Sequence, residues 1–170
     1  MRDDSQRWAP PRDRVVEVTA SGIAIRSFDI ARLTMISGTR ALTATQLAIA
    51  DWPNTVEGDS YAISLRRDRI LEVNGPARPD GWDADQNLAI CDVTDAYTQV
   101  EITGPAALSL LNRGTELDPN TPSRSAARLL FGLGVFLYRH GHFDTYRIHA
   151  GSAQDEALWH ALTDAAKHLT

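Results

Sequence analysis

Cysteine and lysine are almost missing from this chain. Cys91 is its one cysteine and Lys167 its one lysine, among 170 residues. A single thiol excludes an internal disulfide framework and a cysteine-rich metal site, and it suits a reducing compartment. The lone lysine beside sixteen arginines reflects genome composition rather than function. No apolar run approaches the roughly 20 residues that span a bilayer. The first fourteen residues carry mixed charge and no apolar centre, so they do not read as a secretory signal. The expected location is therefore cytoplasmic, with no membrane contact. The net charge is −5 and the basic residues are scattered, which argues against a nucleic-acid partner. No phosphate-cradling glycine loop with lysine is present. Gly132-Leu-Gly134 lacks both the third glycine and the strand-to-helix setting of a dinucleotide fingerprint. No Ser-His-Asp or Cys-His arrangement follows from the spacing.

Hydrophobic residues make up 43% and charged residues 23%, as in an ordinary globular domain. Residues 1–14 read as an extended arm, because Pro10 and Pro11 oppose both helix and central strand. The remainder, 15–170, reads as one domain of two halves, about 28–75 and 88–170. In the first half, Ile30–Ile36 predicts a strand and Ala41–Ile49 a helix, ended by Trp52-Pro53-Asn54. Tyr61–Leu65 and Ile70–Val73 predict a hairpin turned by Arg66–Arg69. Asn74–Gly81 is a loop by composition.

The second half repeats that order. Leu88–Val93 and Gln99–Thr103 predict strands. Gly104-Pro105 opens a helix with an apolar stripe of Ala106, Ala107, Leu110 and Leu111, and Gly114 stands where a left-handed C-cap glycine belongs. Ala127–Phe131, Val135–Arg139 and Thr145–His149 predict three strands, with Gly132 and Gly134 at the first turn and His140-Gly-His142 at the second. The last helix spans Gln154–Leu169, with Ser152 as N-cap and Leu158, Leu162, Ala165, Ala166 and Leu169 on one face. The fold expected is α+β: two split β-α-β units sharing one core, with antiparallel or mixed sheets and helices packed on one face.

Candidate chemistry is sparse. His140 and His142, with His149 and His160, are the obvious metal candidates. The first two bracket a turn glycine, however, and are read as solvated, so no metal site is expected. Cys91 lies in an apolar strand and is expected to be buried and structural. Asp92 and Asp95 flank Thr94, where turn hydrogen bonding explains them as well as acid–base work does. No catalytic residue is assigned and no cofactor-binding residue is identified. Trp8, Trp52 and Trp82 stand in arm or loop settings. Each is read first as packed on its own domain and second as an anchor for a partner chain.

One stretch goes further. Asp92-Val-Thr-Asp-Ala-Tyr-Thr-Gln-Val-Glu-Ile-Thr-Gly-Pro-Ala-Ala-Leu-Ser-Leu-Leu-Asn-Arg-Gly-Thr-Glu-Leu-Asp118 holds Asp-x-Thr, a short strand, Gly104-Pro105-x-Ala107, a Leu-Leu helix and Gly114-x-x-Leu117-Asp118. This skeleton resembles the gamma subunit of heterotetrameric sarcosine oxidase and the wider glycine-cleavage T-protein group. It is specific over about residues 88–118 and loose over 28–75 and 125–168. The resemblance implies a T-protein-like aminomethyltransferase fold. It also implies an accessory subunit of a flavin-dependent complex that oxidises sarcosine or a related N-methyl amine, with a structural role and no chemistry of its own. Its partners would be the large flavoprotein subunits of alpha, beta and delta type, and FAD, FMN, NAD and tetrahydrofolate would sit in those subunits. In isolation, the partner-facing surface could pair with a second copy. Of the T-protein's Gly-Gly-x-x-Asp-Asp segment, which supplies its catalytic aspartate, only Asp144 survives, in His140-Gly-His-Phe-Asp144. That argues against folate-dependent methylene transfer. A stand-alone folate-binding T-protein-like module is the alternative.

Overall fold

The computed structural model describes residues 14–18, 22–118 and 120–169. Except for Arg14, the expected N-terminal arm lies outside them, and Trp8 with it.

Two sheets carry the molecule. The larger runs β1 (Val15–Val18), β2 (Ile23–Ser27), β10 (Tyr97–Thr103), β13 (Thr145–Gly151), β12 (Leu133–His140) and β11 (Ala127–Leu130), all antiparallel. The short β5 (Thr55–Val56) adds to it in parallel, beside the end of β12. The smaller sheet runs β4 (Ile49–Ala50), β6 (Tyr61–Arg66), β7 (Arg69–Val73), β3 (Leu33–Ser37), β9 (Leu88–Asp92) and β8 (Gly81–Asp83). The α+β architecture with antiparallel and mixed sheets is thus what the chain adopts.

Each strand's alternation assigns its two faces. On the larger sheet, Ile23, Ile25, Val100, Ile102, Leu137, Tyr146 and Ile148 point outward, to a core shared with α2 (Ala107–Leu111) and α3 (Asp155–Lys167). From the smaller sheet, Leu33, Tyr61, Ile63, Leu65, Leu71 and Val73 point inward and meet Tyr138 of the larger one. On the smaller sheet's other face, Ile36, Ile70 and Leu88 pack against Ala41 of α1 (Ala41–Ala44). The order of layers is therefore α2 and α3, large sheet, small sheet, α1. Each sheet carries helix on one face and the other sheet on the opposite face.

α3 follows its apolar stripe. Leu158, Trp159, Leu162, Thr163 and Ala166 are buried, and Ala165 and Leu169 pack at the margin. Burying each large apolar side chain contributes roughly 1.5–3 kcal/mol. Ser152 does not cap the helix. A single 3-10 turn, Ser152–Gln154, precedes it, and the Ser152 hydroxyl donates to the Asp95 carbonyl.

Several expectations change. The helix expected over Ala41–Ile49 stops after one turn. Thr45 is extended, its hydroxyl accepts the Leu47 N–H, and Ile49–Ala50 pairs in parallel with Ala62–Ile63. Threonine side chains compete for local backbone bonds and so favour such an exit. β9, read as the opening of the second half, hydrogen-bonds to β3 of the first. Conversely, β2, which has no counterpart in the sequence reading, joins β10. The two halves therefore trade strands.

The glycines around α2 also separate. Gly104 sits at φ +121°, and a Cβ there would lie 1.9 Å from the Gly22 carbonyl oxygen, so only glycine fits. Gly114 has no positive φ and is not a left-handed cap. Its role is a close approach: a Cβ would lie 2.8 Å from the Phe131 ring, and the Phe131 N–H donates to the Gly114 carbonyl.

Candidate functional site

The side chains with most chemical potential meet between the sheets. On β10, the inward positions are Gln99 and Glu101, and opposite them on β13 stand His149 and Arg147. Glu101 is 3% exposed. Its carboxylate accepts from Arg147 Nε at 2.9 Å and from Arg26 Nε at 2.8 Å, with a further bond from Arg26 Nη2. Arg147 Nη1 donates to the Tyr61 hydroxyl at 3.0 Å, and its guanidinium stacks 4.6 Å from the Phe28 ring centre. The Tyr61 and Tyr138 hydroxyls are 2.7 Å apart, and Tyr138 lies 2.7 Å from His149 Nε2. One hydrogen-bonded path therefore runs from Arg26 at the surface to a histidine with no exposure, crossing from one sheet to the other and back.

Its electrostatics follow from burial. Loss of solvent alone would raise the Glu101 carboxyl, but hydrogen bonds from Arg147 and Arg26 outweigh it and hold the group below its ordinary value. Burial raises both tyrosines, Tyr138 well above 10. Burial, followed by the Arg147 charge, lowers His149 to about 3, so its ring is neutral. His149 Nδ1 is buried without a partner. A neutral ring carries one N–H, so Tyr138 donating to Nε2 would place that proton on the unpartnered Nδ1.

This is a closed arrangement. Both Glu101 oxygens are taken by guanidinium groups, and both tyrosine hydroxyls are taken by each other and by their neighbours. Such a network fixes how two sheets dock and offers no free base or nucleophile.

The remaining candidates are dispersed. His140 ends β12, where Nε2 donates to the Gly58 carbonyl at 2.8 Å and burial lowers its pKa. His142 is exposed, 2.5 Å from Asp144 within the turn. His160 is exposed on α3 beside Glu156. Among the described residues, no three His, Cys, Asp or Glu side chains come together as a metal site. Asp92 accepts the Thr94 N–H and hydroxyl, which hold its carboxyl below the ordinary range. The Asp95 carbonyl takes the Ser152 bond described above. Gly132, at φ +81°, turns the β11–β12 hairpin. Cys91 is exposed, contrary to expectation. It lies on the inner face of the small sheet, where the large sheet no longer covers it.

Trp52 is core. It is 4% exposed, stacks on Tyr146, lies under the Arg139 guanidinium at 4.6 Å, and donates from Nε1 to the Asp118 carbonyl at 2.9 Å. The Asp118 end of the Gly114-x-x-Leu117-Asp118 motif thus holds this ring, and Leu117 joins the same cluster. Trp82 is 63% exposed and lies on the edge strand β8 rather than in a loop.

Sequence reasoning missed Tyr61, Glu101, Tyr138 and Arg147 as a group. Glu101 and Arg147 fall at polar positions of alternating strands, and alternation cannot separate a solvent-facing position from one facing a second sheet. The available signal was β10's acid opposite β13's base.

No protein-family model and no curated protein matches this chain. Among solved structures, a chain of the heterotetrameric sarcosine oxidase from Corynebacterium sp. U-96, determined with pyrrole 2-carboxylate, is 18% identical and superposes with a TM-score of 0.68, covering 89% of this chain and 87% of that one. The chain shares its fold with that subunit.

Proposed function

We propose that this chain is an accessory, gamma-type subunit of a cytoplasmic, flavin-dependent complex that oxidises sarcosine or a related secondary amine. The observation that carries the reading is end-to-end likeness to one chain of a heterotetrameric enzyme, 89% against 87% in coverage. The motif over residues 92–118 supports the gamma assignment, since its glycines and Leu117-Asp118 each meet a specific packing demand. The closed polar network supports a structural role, with flavin, nicotinamide and folate held by the larger subunits.

The test is co-expression of the full chain with the flavoprotein subunits of a sarcosine oxidase-type complex from the same organism. The expected result is stoichiometric co-purification, and loss of amine oxidation or of assembly when the chain is omitted. A chain that purifies alone with its own flavin absorbance contradicts the reading.

A further inference from the structure

On the inner face of the small sheet, cover fades strand by strand. Leu71 of β7 is fully buried, its neighbour Met35 of β3 is half-buried, and Cys91 and Ala89 of β9 are exposed. Trp82 of β8, opposite Ala89, is 63% exposed. β8 ends its sheet, and among the described residues nothing pairs with its outer side. A groove lined by Pro79, Asp80, Gly81, Trp82, Asp83 and Ile90 runs along it.

Charge sets the occupant. Between Asp80 and Asp95 the chain holds Asp80, Asp83, Asp85, Asp92 and Asp95, with no lysine, arginine or histidine. Asp80 and Asp83 each accept backbone N–H groups, Asp80 from Asp92 and Asp83 from Asp85 and Gln86, which fixes their orientation. Alternation places Trp82 on the inner face, and Gly81 and Asp83 on the outer one. A strand added at this edge would meet an apolar surface on one side and carboxylate on the other. A second copy of this chain would bring two aspartate clusters together, which like-charge repulsion opposes.

We propose that the β8 edge accepts an extended, basic segment of a partner polypeptide, alternating apolar and Arg or Lys residues, as an added strand. The existence of a partner chain rests on the subunit reading.

The full chain is titrated with an octapeptide of alternating arginine and valine, and with its glutamate–valine counterpart, reading binding by isothermal titration calorimetry and amide exchange over residues 81–83. Binding of the basic peptide alone, slowed exchange at 81–83, and about tenfold weaker binding in Trp82→Ala and Asp85→Lys variants are expected. Equal binding of the acidic peptide, no binding of either, or unchanged exchange at 81–83 overturns the proposal and leaves the aspartates as guards against edge pairing. Flavoprotein chains that co-purify while 81–83 still exchanges freely contradict the edge but not the subunit reading. Basic-peptide binding by a chain that captures no flavoprotein supports the edge and contradicts the subunit reading.

Discussion

His149 has no exposure and an unpartnered ring nitrogen, so its stability effect depends on pH in a defined direction. Its folded pKa, about 3, lies below the ordinary 6.5, so the unfolded chain takes up the proton more readily. Its contribution is complete above pH 6.5 and is lost as pH falls toward 3, at about 1.4 kcal/mol per pH unit. Urea unfolding should therefore show about 2 kcal/mol less stability at pH 5 than at pH 6.5, and His149→Gln should flatten that slope. Equal slopes for wild type and variant would contradict the buried, neutral assignment. At the same scale, Gly114 is glycine because of Phe131. Gly114→Ala should cost about 1–3 kcal/mol, by overpacking. Most of that cost should vanish in a Phe131→Ala background, as a double-mutant cycle by chemical denaturation would show; additivity would mean that the ring is not the obstacle. The glycine was legible at this position from the helix end, but its partner Phe131, seventeen residues ahead in a hairpin turn, was not.

Among elements, the strands from β9 to β13 could be read to within two residues at each end, because glycine turns and the histidine-flanked turn bound most of them. The hairpin of β6 and β7 was legible for the same reason, with charged residues at its turn. Elements that depend on distant pairing were not. β2 is short, and although Gly22 precedes it at φ +63°, it gains its place from β10. The stretch after α1 has helical spacing of apolar residues, yet Ile49–Ala50 gains more by joining β6 than by continuing the helix. Tryptophans divide by element in the same way. Trp52, seated between Tyr146, Arg139 and the Asp118 carbonyl, should cost about 3–5 kcal/mol as Trp52→Ala. Trp82→Ala on the β8 edge should change stability by no more than about 0.5 kcal/mol. Thermal melts of the two variants decide this, and a large loss for Trp82→Ala would mean that its ring is packed in solution.

For the whole molecule, two sheets that exchange strands between the halves explain why half-by-half reading gave the fold class but misplaced β9. Their joint is the Arg26–Glu101–Arg147–Tyr61–Tyr138–His149 path, built from residues up to 123 positions apart in sequence. A closed joint of this kind suits a chain that contributes shape to an assembly. The most direct test is to co-express the full chain with the flavoprotein subunits of a sarcosine oxidase-type complex from the same organism and determine the composition and mass of what elutes by size exclusion. The account predicts one copy of this chain per flavoprotein complex, with all flavin on the larger subunits. Elution of this chain alone, apart from a fully assembled and active flavoprotein, would contradict it.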